Sequence, residues 1–393
     1  MMEILDKTKI FLLDVFNKYR WVFLIIFVLI AVKSIYQSII LSMGSSLDMQ
    51  WYPALQYWGM GDFTHSINPY LARLNGDTFM SQDPNYAPLL YVLMYPFALM
   101  DFTSAKISFA IFSITCFFAT MWLFYRNKVN LAFLLLIGIF VLFGYTFGNV
   151  IANGQLAIIL GFFLSLGYFY RKSPIVLSLC LSIVFVKYSF GIPILLGFFL
   201  AGYRKETILA GFINLAFVIL FAFQFNISIL QSLLLPLKVS AQATGVGPSD
   251  LMSLSRILFD GALFMVSNPF LYMIGFVYGL YVYICFRLSP PPSNIISSSI
   301  LLSLSTFYHL GYDHYMFFLA AMIAKERLKS TDFSMVFLVT LALFLWLGSR
   351  VQKFLPDGYF WAMNMGVVFC SIMSAMILIS VFWILLGRNK QGI

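Results

Sequence analysis

The chain has 393 residues, of which 61% are apolar and only 10% are charged, and its formal net charge is +9. A soluble domain carries about 25% charged residues, so this composition excludes an ordinary soluble protein. Repeated apolar runs close to the ~20 residues that cross a bilayer predict an all-α polytopic membrane protein, with residues 1–393 forming one integral domain. The basic residues lie in short connectors and tails, which follows the positive-inside pattern and argues against a nucleic-acid partner.

Taken in chain order, the apolar runs predict about twelve transmembrane helices with both termini cytoplasmic. Residues 1–20 contain several basic side chains and are predicted to be cytoplasmic. The first span follows them, and after it come an outer loop at 42–87 and an interfacial or half-inserted helix at 88–102. A second large outer loop is predicted at 226–260. The predicted spans are 21–41, 103–125, 129–147, 156–170, 174–186, 188–201, 206–225, 261–286, 294–310, 316–324, 332–348 and 359–386.

Six polar residues inside or beside the apolar runs fall on the predicted outer face. Ionisable groups at a membrane edge are costly and are therefore functional candidates. Their position on one face predicts a single extracytoplasmic site in a polytopic bundle. The candidates are Asp48, Gln155, Lys187, Arg256, Asp313 and His314.

The order of the motifs around these residues is similar to that of a known family. The runs are LDMQWYPAL, NYAPLLYVLMYPFALM, NGQLAIILGFFLSLGYFYRK, LCLSIVFVKYSFGIPILL and YHLGYDHYMFFLAAM. They resemble glycosyltransferase family 87, in the C-type superfamily of membrane glycosyltransferases that use polyprenyl-phosphate sugars. The resemblance covers about residues 40–325. It departs from the family in GQLA, where GQ-N is usual, in YAPL for YPPL, and in GYDHY for a Ser-rich version.

The resemblance implies a GT-C-like fold whose first extracytoplasmic loop carries the active site. The implied activity is transfer of a mannose-like hexose or a pentose from a polyprenyl-phosphate donor to a hydroxyl on a glycan or glycolipid acceptor. It implies a bacterial-type plasma membrane, with no cofactor and no metal. The matched positions imply a catalytic Asp48 and substrate contacts at Tyr52 and Tyr86 as well as at the polar candidates above.

Asp48 has two interpretations. A partly desolvated carboxylate at the membrane edge has a raised pKa and suits a general base. The sequence SLD before an aromatic run also fits a helix N-cap. Asp62 and Asp83 compete for the catalytic role, while Asp77 in NGDT fits a turn.

The substrate contacts have plain alternatives too. Lys187, bracketed by FV and YSF, would bind a lipid phosphate or extend its ammonium to the interface. Arg256 would bind phosphate or belong to an amphipathic loop helix. Asp313 and His314 lie between two apolar runs, where His314 would bind phosphate or acceptor, whereas His309 is predicted to pack within a span. Gln155 would order its loop or contact sugar hydroxyls, and its plain alternative is polarity at a helix N-cap.

Aromatic residues of the first outer loop would stack on a sugar, although aromatic belts at interfaces are ordinary. They are Trp51, Tyr52, Tyr57 and Trp58. No metal site is predicted, because His65 and Asp62 offer only two neighbouring ligands.

Two other functional classes compete with the enzyme. A lipid-linked-sugar flippase or another multi-span transporter predicts inverted repeats with broken helices, and the short runs around Lys187 are one such feature without a second copy. A structural subunit requires no convergence of polar groups.

Overall fold

The computed structural model describes residues 20–44, 86–100, 102–143, 145–152, 154–224, 226–242, 250–259, 269–309, 311–325 and 359–386. Within these ranges every element is a helix, which confirms the all-α prediction for this part of the chain. A 3-10 helix covers Gly311–His314. The α-helices are α1 Arg20–Gly44, α2 Leu89–Leu93, α3 Tyr95–Ala98, α4 Phe102–Arg126, α5 Leu131–Phe143, α6 Tyr145–Ala152, α7 Ala157–Phe169, α8 Pro174–Val184, α9 Tyr188–Leu200, α10 Arg204–Gln224, α11 Ile229–Gln242, α12 Leu251–Phe259, α13 Pro269–Leu288, α14 Pro292–Thr306, α15 Tyr315–Lys325 and α16 Tyr359–Leu386.

Within the described ranges four helices, α1, α4, α10 and α13, are long and apolar enough to cross a membrane. They present large apolar side chains outward, including Trp21 at 64%, Phe223 at 77% and Phe276 at 70% exposure. Apolar surface of this extent suits lipid tails and is rare on soluble monomers. The described part of the chain is therefore that of an α-helical membrane protein, and the count of about twelve crossings stays a prediction.

Helix α14 lies at the centre of the bundle and packs against α9, α15 and α16. It is buried from Ser293 to Thr306, although its sequence is rich in serine. Its polar side chains donate hydrogen bonds to backbone carbonyls of neighbouring helices. The Asn294 amide donates to Ile384 at 2.8 Å, and the Ser297 hydroxyl donates to Ala320 at 2.7 Å. Hydrogen bonds of this kind let a polar helix occupy an apolar core.

A short connector between α8 and α9 places Lys187 at the junction of two short helices. Lys187 is extended, with φ −104° and ψ 98°, and its carbonyl accepts hydrogen bonds from the amides of Phe190 and Gly191 at 2.9 and 2.7 Å. A Cβ on Gly191 would lie 2.5 Å from the Phe185 Cα. Since no side chain fits there, glycine is what allows the chain to turn this closely.

Several predicted boundaries differ from the structure. Helix α6 continues to Ala152, so most of the loop predicted at 148–155 is helical. The predicted outer loop at 226–260 contains α11 and α12. The span predicted at 294–310 ends at Thr306, since Phe307 is extended, and His309 therefore lies beyond the helix. The segment 88–102 begins with helices of five and four residues, which are too short to cross a bilayer.

Candidate functional site

A buried ion pair joins two helix breaks that are distant in sequence. The Lys187 Nζ lies 2.7 Å from both carboxylate oxygens of Asp313. Lys187 precedes α9, and Asp313 lies in the 3-10 helix that precedes α15. The Asp313 side chain is 2% exposed and that of Lys187 is 15% exposed, so the carboxylate is enclosed while the lysine side chain keeps a small exposed part. This pair brings together two candidates that the sequence analysis identified separately.

His309 completes the group and was not among the predicted site residues. Its Nδ1 lies 3.2 Å from an oxygen of Asp313, and its Nε2 lies 3.1 Å from the Ser303 hydroxyl. The imidazole stacks on the Phe190 ring with centroids 4.3 Å apart and planes at 28°. The Lys187 ammonium lies 5.1 Å from the centroid of the same ring. We call Lys187, Asp313, His309 and Ser303 the polar cluster.

The charges of the polar cluster determine its protonation. Burial alone would raise the pKa of the Asp313 carboxyl, but the positive charge of Lys187 and the hydrogen bond from His309 outweigh burial and hold that pKa well below its usual range. Burial lowers the pKa of His309, and the charge of Lys187 lowers it further, against the opposing effect of Asp313. At neutral pH the cluster therefore combines an ammonium, a carboxylate and a neutral imidazole, with a net charge of zero.

The segment that follows the first outer loop closes one side of the cluster. The Ala87 amide donates to the Val186 carbonyl at 2.8 Å, next to Lys187. Tyr86 is 3% exposed, and burial raises the pKa of its phenol, with a further contribution from the charge of Asp313. A neutral phenol near Asp313 offers a hydrogen-bond donor beside the ion pair.

Asp250 forms a second buried carboxylate beside the cluster. It caps α12, since one carboxylate oxygen accepts from the Ser253 amide at 2.6 Å and the other from the Ser253 hydroxyl at 2.7 Å. The second oxygen also lies 3.5 Å from the His309 amide nitrogen. Asp250 thus ties the start of α12 to the connector between α14 and α15.

Two buried polar atoms near these elements have no hydrogen-bond partner among the described residues. They are the Gln155 Oε1 and the Tyr188 hydroxyl. Gln155 follows α6, which packs against the 3-10 helix that carries Asp313, and Tyr188 follows Lys187 in the chain. A buried polar atom without a partner costs about 1–3 kcal/mol, which a ligand hydroxyl or amine would recover.

The other predicted site residues have different outcomes. His314 is buried, at 4% exposure, with its ring centroid 6.4 Å from that of Phe317. Arg256 lies within α12, and its side chain is outside what the structure describes. Asp48 and Tyr52 also lie outside the described residues, so the base and the aromatic contact of the first outer loop stay predictions.

Three residues of the site were missed by sequence reasoning: His309, Asp250 and Ser303. The spacing of His309 and Asp313, four residues apart, is a signal that those side chains can meet on one face of a helical turn. Asp250 in PSDLMS is a recognisable N-cap sequence. Ser303 is one of many serines in α14 and carries no distinguishing signal.

The arrangement can bind an anion and move a proton. Lys187 supplies a fixed positive charge on a partly exposed side chain, and His309 links the carboxylate of Asp313 to a serine hydroxyl. Within the described ranges no group of three or more His, Cys, Asp or Glu side chains is placed to hold a metal ion.

Comparisons with known proteins leave this chemistry to be interpreted from the chain itself. No family model matches the chain, no curated protein matches it, and no solved structure matches it.

Proposed function

We propose that this protein is a membrane glycosyltransferase that moves a sugar from a polyprenyl-phosphate donor to a hydroxyl of a glycan or glycolipid acceptor. One observation carries the proposal. Three of the sequence motifs that resemble the C-type glycosyltransferases contribute Tyr86, Lys187 and Asp313, and these residues lie around one buried ion pair. Ionisable groups inside an apolar bundle are costly and are functional candidates, so their meeting at the matched motifs supports the proposal.

The leaving group of the proposed reaction is a lipid phosphate, and Lys187 is the residue that would hold it. Preorganised positive charge stabilises developing negative charge strongly where water is scarce. Asp313 acts as a positioning residue, because its two contacts of 2.7 Å fix the ammonium in place. The Tyr86 phenol and the Gln155 Oε1 are available to hydroxyl groups of the sugar.

The proton of the acceptor hydroxyl goes to a general base, and we propose Asp48 for this role. A positioned carboxylate of this kind contributes about 10²–10⁴ to the rate. We also propose the membrane topology that the sequence predicts. The chain would cross a bacterial-type plasma membrane about twelve times, with both termini cytoplasmic and the site on the outer face.

Sugar transfer by the purified full-length chain in liposomes tests the proposal. The donors are radiolabelled polyprenyl-phosphate hexoses and pentoses, and the acceptors are a panel of glycolipids. We expect a new glycoside from at least one pair, and loss of most of that product in Lys187→Met. The matched control is Lys205→Met, which removes an exposed lysine at the start of α10. Equal losses in both variants, or no glycoside from any pair, would contradict the proposal.

A second function, transport of a lipid-linked sugar or another solute, is favoured by one specific observation. Two connectors between short helices, one joining α8 to α9 and one joining α14 to α15, meet through Lys187 and Asp313. Charged groups on non-helical backbone within a membrane bundle are typical of the substrate sites of secondary transporters. The same liposomes separate the two functions, since a transporter would move the labelled lipid across the bilayer without any acceptor and without forming a glycosidic bond.

A further inference from the structure

The hydrogen bonds of the polar cluster are one proton short when His309 is neutral. The Ser303 hydroxyl lies 2.6 Å from the Ser189 carbonyl and 3.1 Å from the His309 Nε2. A hydroxyl has a single proton, and a carbonyl can only accept. If Ser303 donates to Ser189, the Nε2 must carry a proton in order to donate to Ser303.

The other ring nitrogen also faces an acceptor. The Nδ1 of His309 lies 3.2 Å from a carboxylate oxygen of Asp313, where a bare nitrogen would place its lone pair against negative charge. Both nitrogens therefore have acceptors, which is the arrangement that an imidazolium requires. Burial opposes that charge, so the ligand-free cluster keeps His309 neutral and lets Ser303 satisfy only one of its two neighbours.

Binding of an anion changes the electrostatic balance that keeps His309 neutral. With His309 neutral, the charges of Lys187 and Asp313 offset each other, so the cluster attracts an anion only weakly. An anion that binds the Lys187 ammonium would also lie close to the carboxylate of Asp313. A proton on His309 offsets that repulsion, gives the cluster a net positive charge, and supplies the missing hydrogen bond to Ser303.

We infer that the polar cluster binds a phosphodiester anion together with a proton, and that His309 is the residue that takes up the proton. The inference rests on the proposed function in one respect only, which is the chemical class of the ligand. It extends that function by coupling occupancy of the donor site to pH. No bond is made or broken, and the proton comes from the solvent.

The groups around His309 in the described part of the chain leave it as the titrating residue. Asp313 contacts its ring, Lys187 contacts Asp313, Asp250 lies near its backbone amide, and the charge of Asp313 acts on Tyr86. Both carboxylates accept strong hydrogen bonds in their charged form, and the pKa of the Tyr86 phenol is raised away from neutrality. An imidazole changes its charge readily between pH 5 and 8. His314 follows Asp313 in the chain and is a second imidazole, so His314→Gln is the control for His309, which is the imidazole in contact with Asp313 and Ser303.

The test is calorimetric binding of farnesyl-phosphoryl-mannose to the full-length chain in nanodiscs, without acceptor. This phosphodiester keeps one negative charge across the pH range used, so that it takes up no proton itself. Titrations at pH 7 to 8 in HEPES and in Tris, which differ in ionisation enthalpy, give the number of protons bound with the ligand. We expect uptake approaching one proton at the upper end of this range, and affinity that weakens by up to about tenfold for each pH unit.

Variants identify the titrating residue. His309→Gln cannot gain a proton, and we expect its uptake to fall to near zero and its affinity to become nearly independent of pH. Ser303→Ala removes the acceptor of the second proton and should reduce uptake as well. Ser305→Ala is the matched control, since its hydroxyl donates to Leu302 within α14 at 3.0 Å and does not touch the cluster.

The outcomes separate the inference from the proposed function. Glycoside formation without proton uptake on binding, or uptake that persists in His309→Gln and Ser303→Ala, would overturn the inference and leave the enzyme standing. Absence of any binding of the phosphodiester would also overturn it. Proton-linked binding without a glycoside product would support the inference and count against the transferase.

Discussion

Substitution of Lys187 by methionine should lower the free energy of unfolding, because it removes the cation that pairs with Asp313. Methionine has a similar length and no charge, so the change leaves the carboxylate of Asp313 enclosed and without its cation. Removing one partner of a buried ion pair costs about 3–5 kcal/mol. Because His309 still donates to Asp313, we expect the lower end of that range, about 3 kcal/mol.

Adding Asp313→Asn to Lys187→Met should recover part of the lost free energy of unfolding. Replacing both members of a buried pair by neutral groups is much less costly than removing one of them. In Lys187→Met/Asp313→Asn, the asparagine oxygen can still accept from His309 while no unpaired charge is left. We therefore expect the double variant to be more stable than Lys187→Met by about 1–2 kcal/mol.

The measurement is the free energy of unfolding by SDS titration in mixed micelles, followed by tryptophan fluorescence. Lys205→Met, which changes an exposed lysine, should stay within about 0.5 kcal/mol of the natural chain. A single variant as stable as this control, or a double variant no more stable than the single one, would show that Lys187 and Asp313 are not a coupled buried pair.

Three further predictions concern catalysis, backbone packing and pH. Asp48→Asn should lower turnover in the sugar-transfer assay by about 10²-fold or more while donor binding changes little, and a fully active variant would remove Asp48 as the base. Gly191→Ala should lower the free energy of unfolding by about 1–3 kcal/mol because its Cβ meets backbone, whereas Gly211→Ala, which has open space around it, should be neutral or stabilising. The pKa values of His309 and Asp313 are lowered in the folded state, so the folded protein binds fewer protons than the unfolded chain. The free energy of unfolding should therefore be highest above pH 6.5 and should fall as the pH is lowered, first because of His309 and then because of Asp313. The loss between pH 6.5 and 5 should be smaller in His309→Gln, and an unchanged acid profile would contradict the assigned charges.

The helical class and the polar candidates could be predicted from the sequence because both depend on local pattern. A charged residue within an apolar run is conspicuous, and Lys187 and Asp313 were identified in that way. Their pairing could not be predicted, since 126 residues separate them and no periodicity relates one helix break to another.

The miss at His309 has a different cause. The apolar and aromatic residues Phe307, Tyr308 and Leu310 extend the apolar run after Thr306 to residue 310. The sequence therefore predicted that His309 lies inside a span. The helix instead ends where Phe307 becomes extended, and the freed connector folds back so that His309 reaches Asp313. Helix ends are decided by tertiary contacts such as these, which a single sequence does not display.

The central position of α14 explains how a charged site can exist inside so apolar a bundle. Polar side chains of this helix find backbone acceptors on α9, α15 and α16, so that the helix is held from several sides. The connector that follows it is therefore fixed at its start, and Asp250 fixes it again at the His309 amide. A cluster held in this way needs little rearrangement when a ligand arrives, which is the condition under which fixed charges stabilise a leaving group most. Transport places the opposite demand on the same residues, because alternating access requires the two pairs of short helices to move relative to each other. The pairing of Lys187 with Asp313 across those helices, and the contact of Ser303 with Ser189 and His309, form a fixed site, which is what the proposed transferase requires and what a transporter would have to break during its cycle.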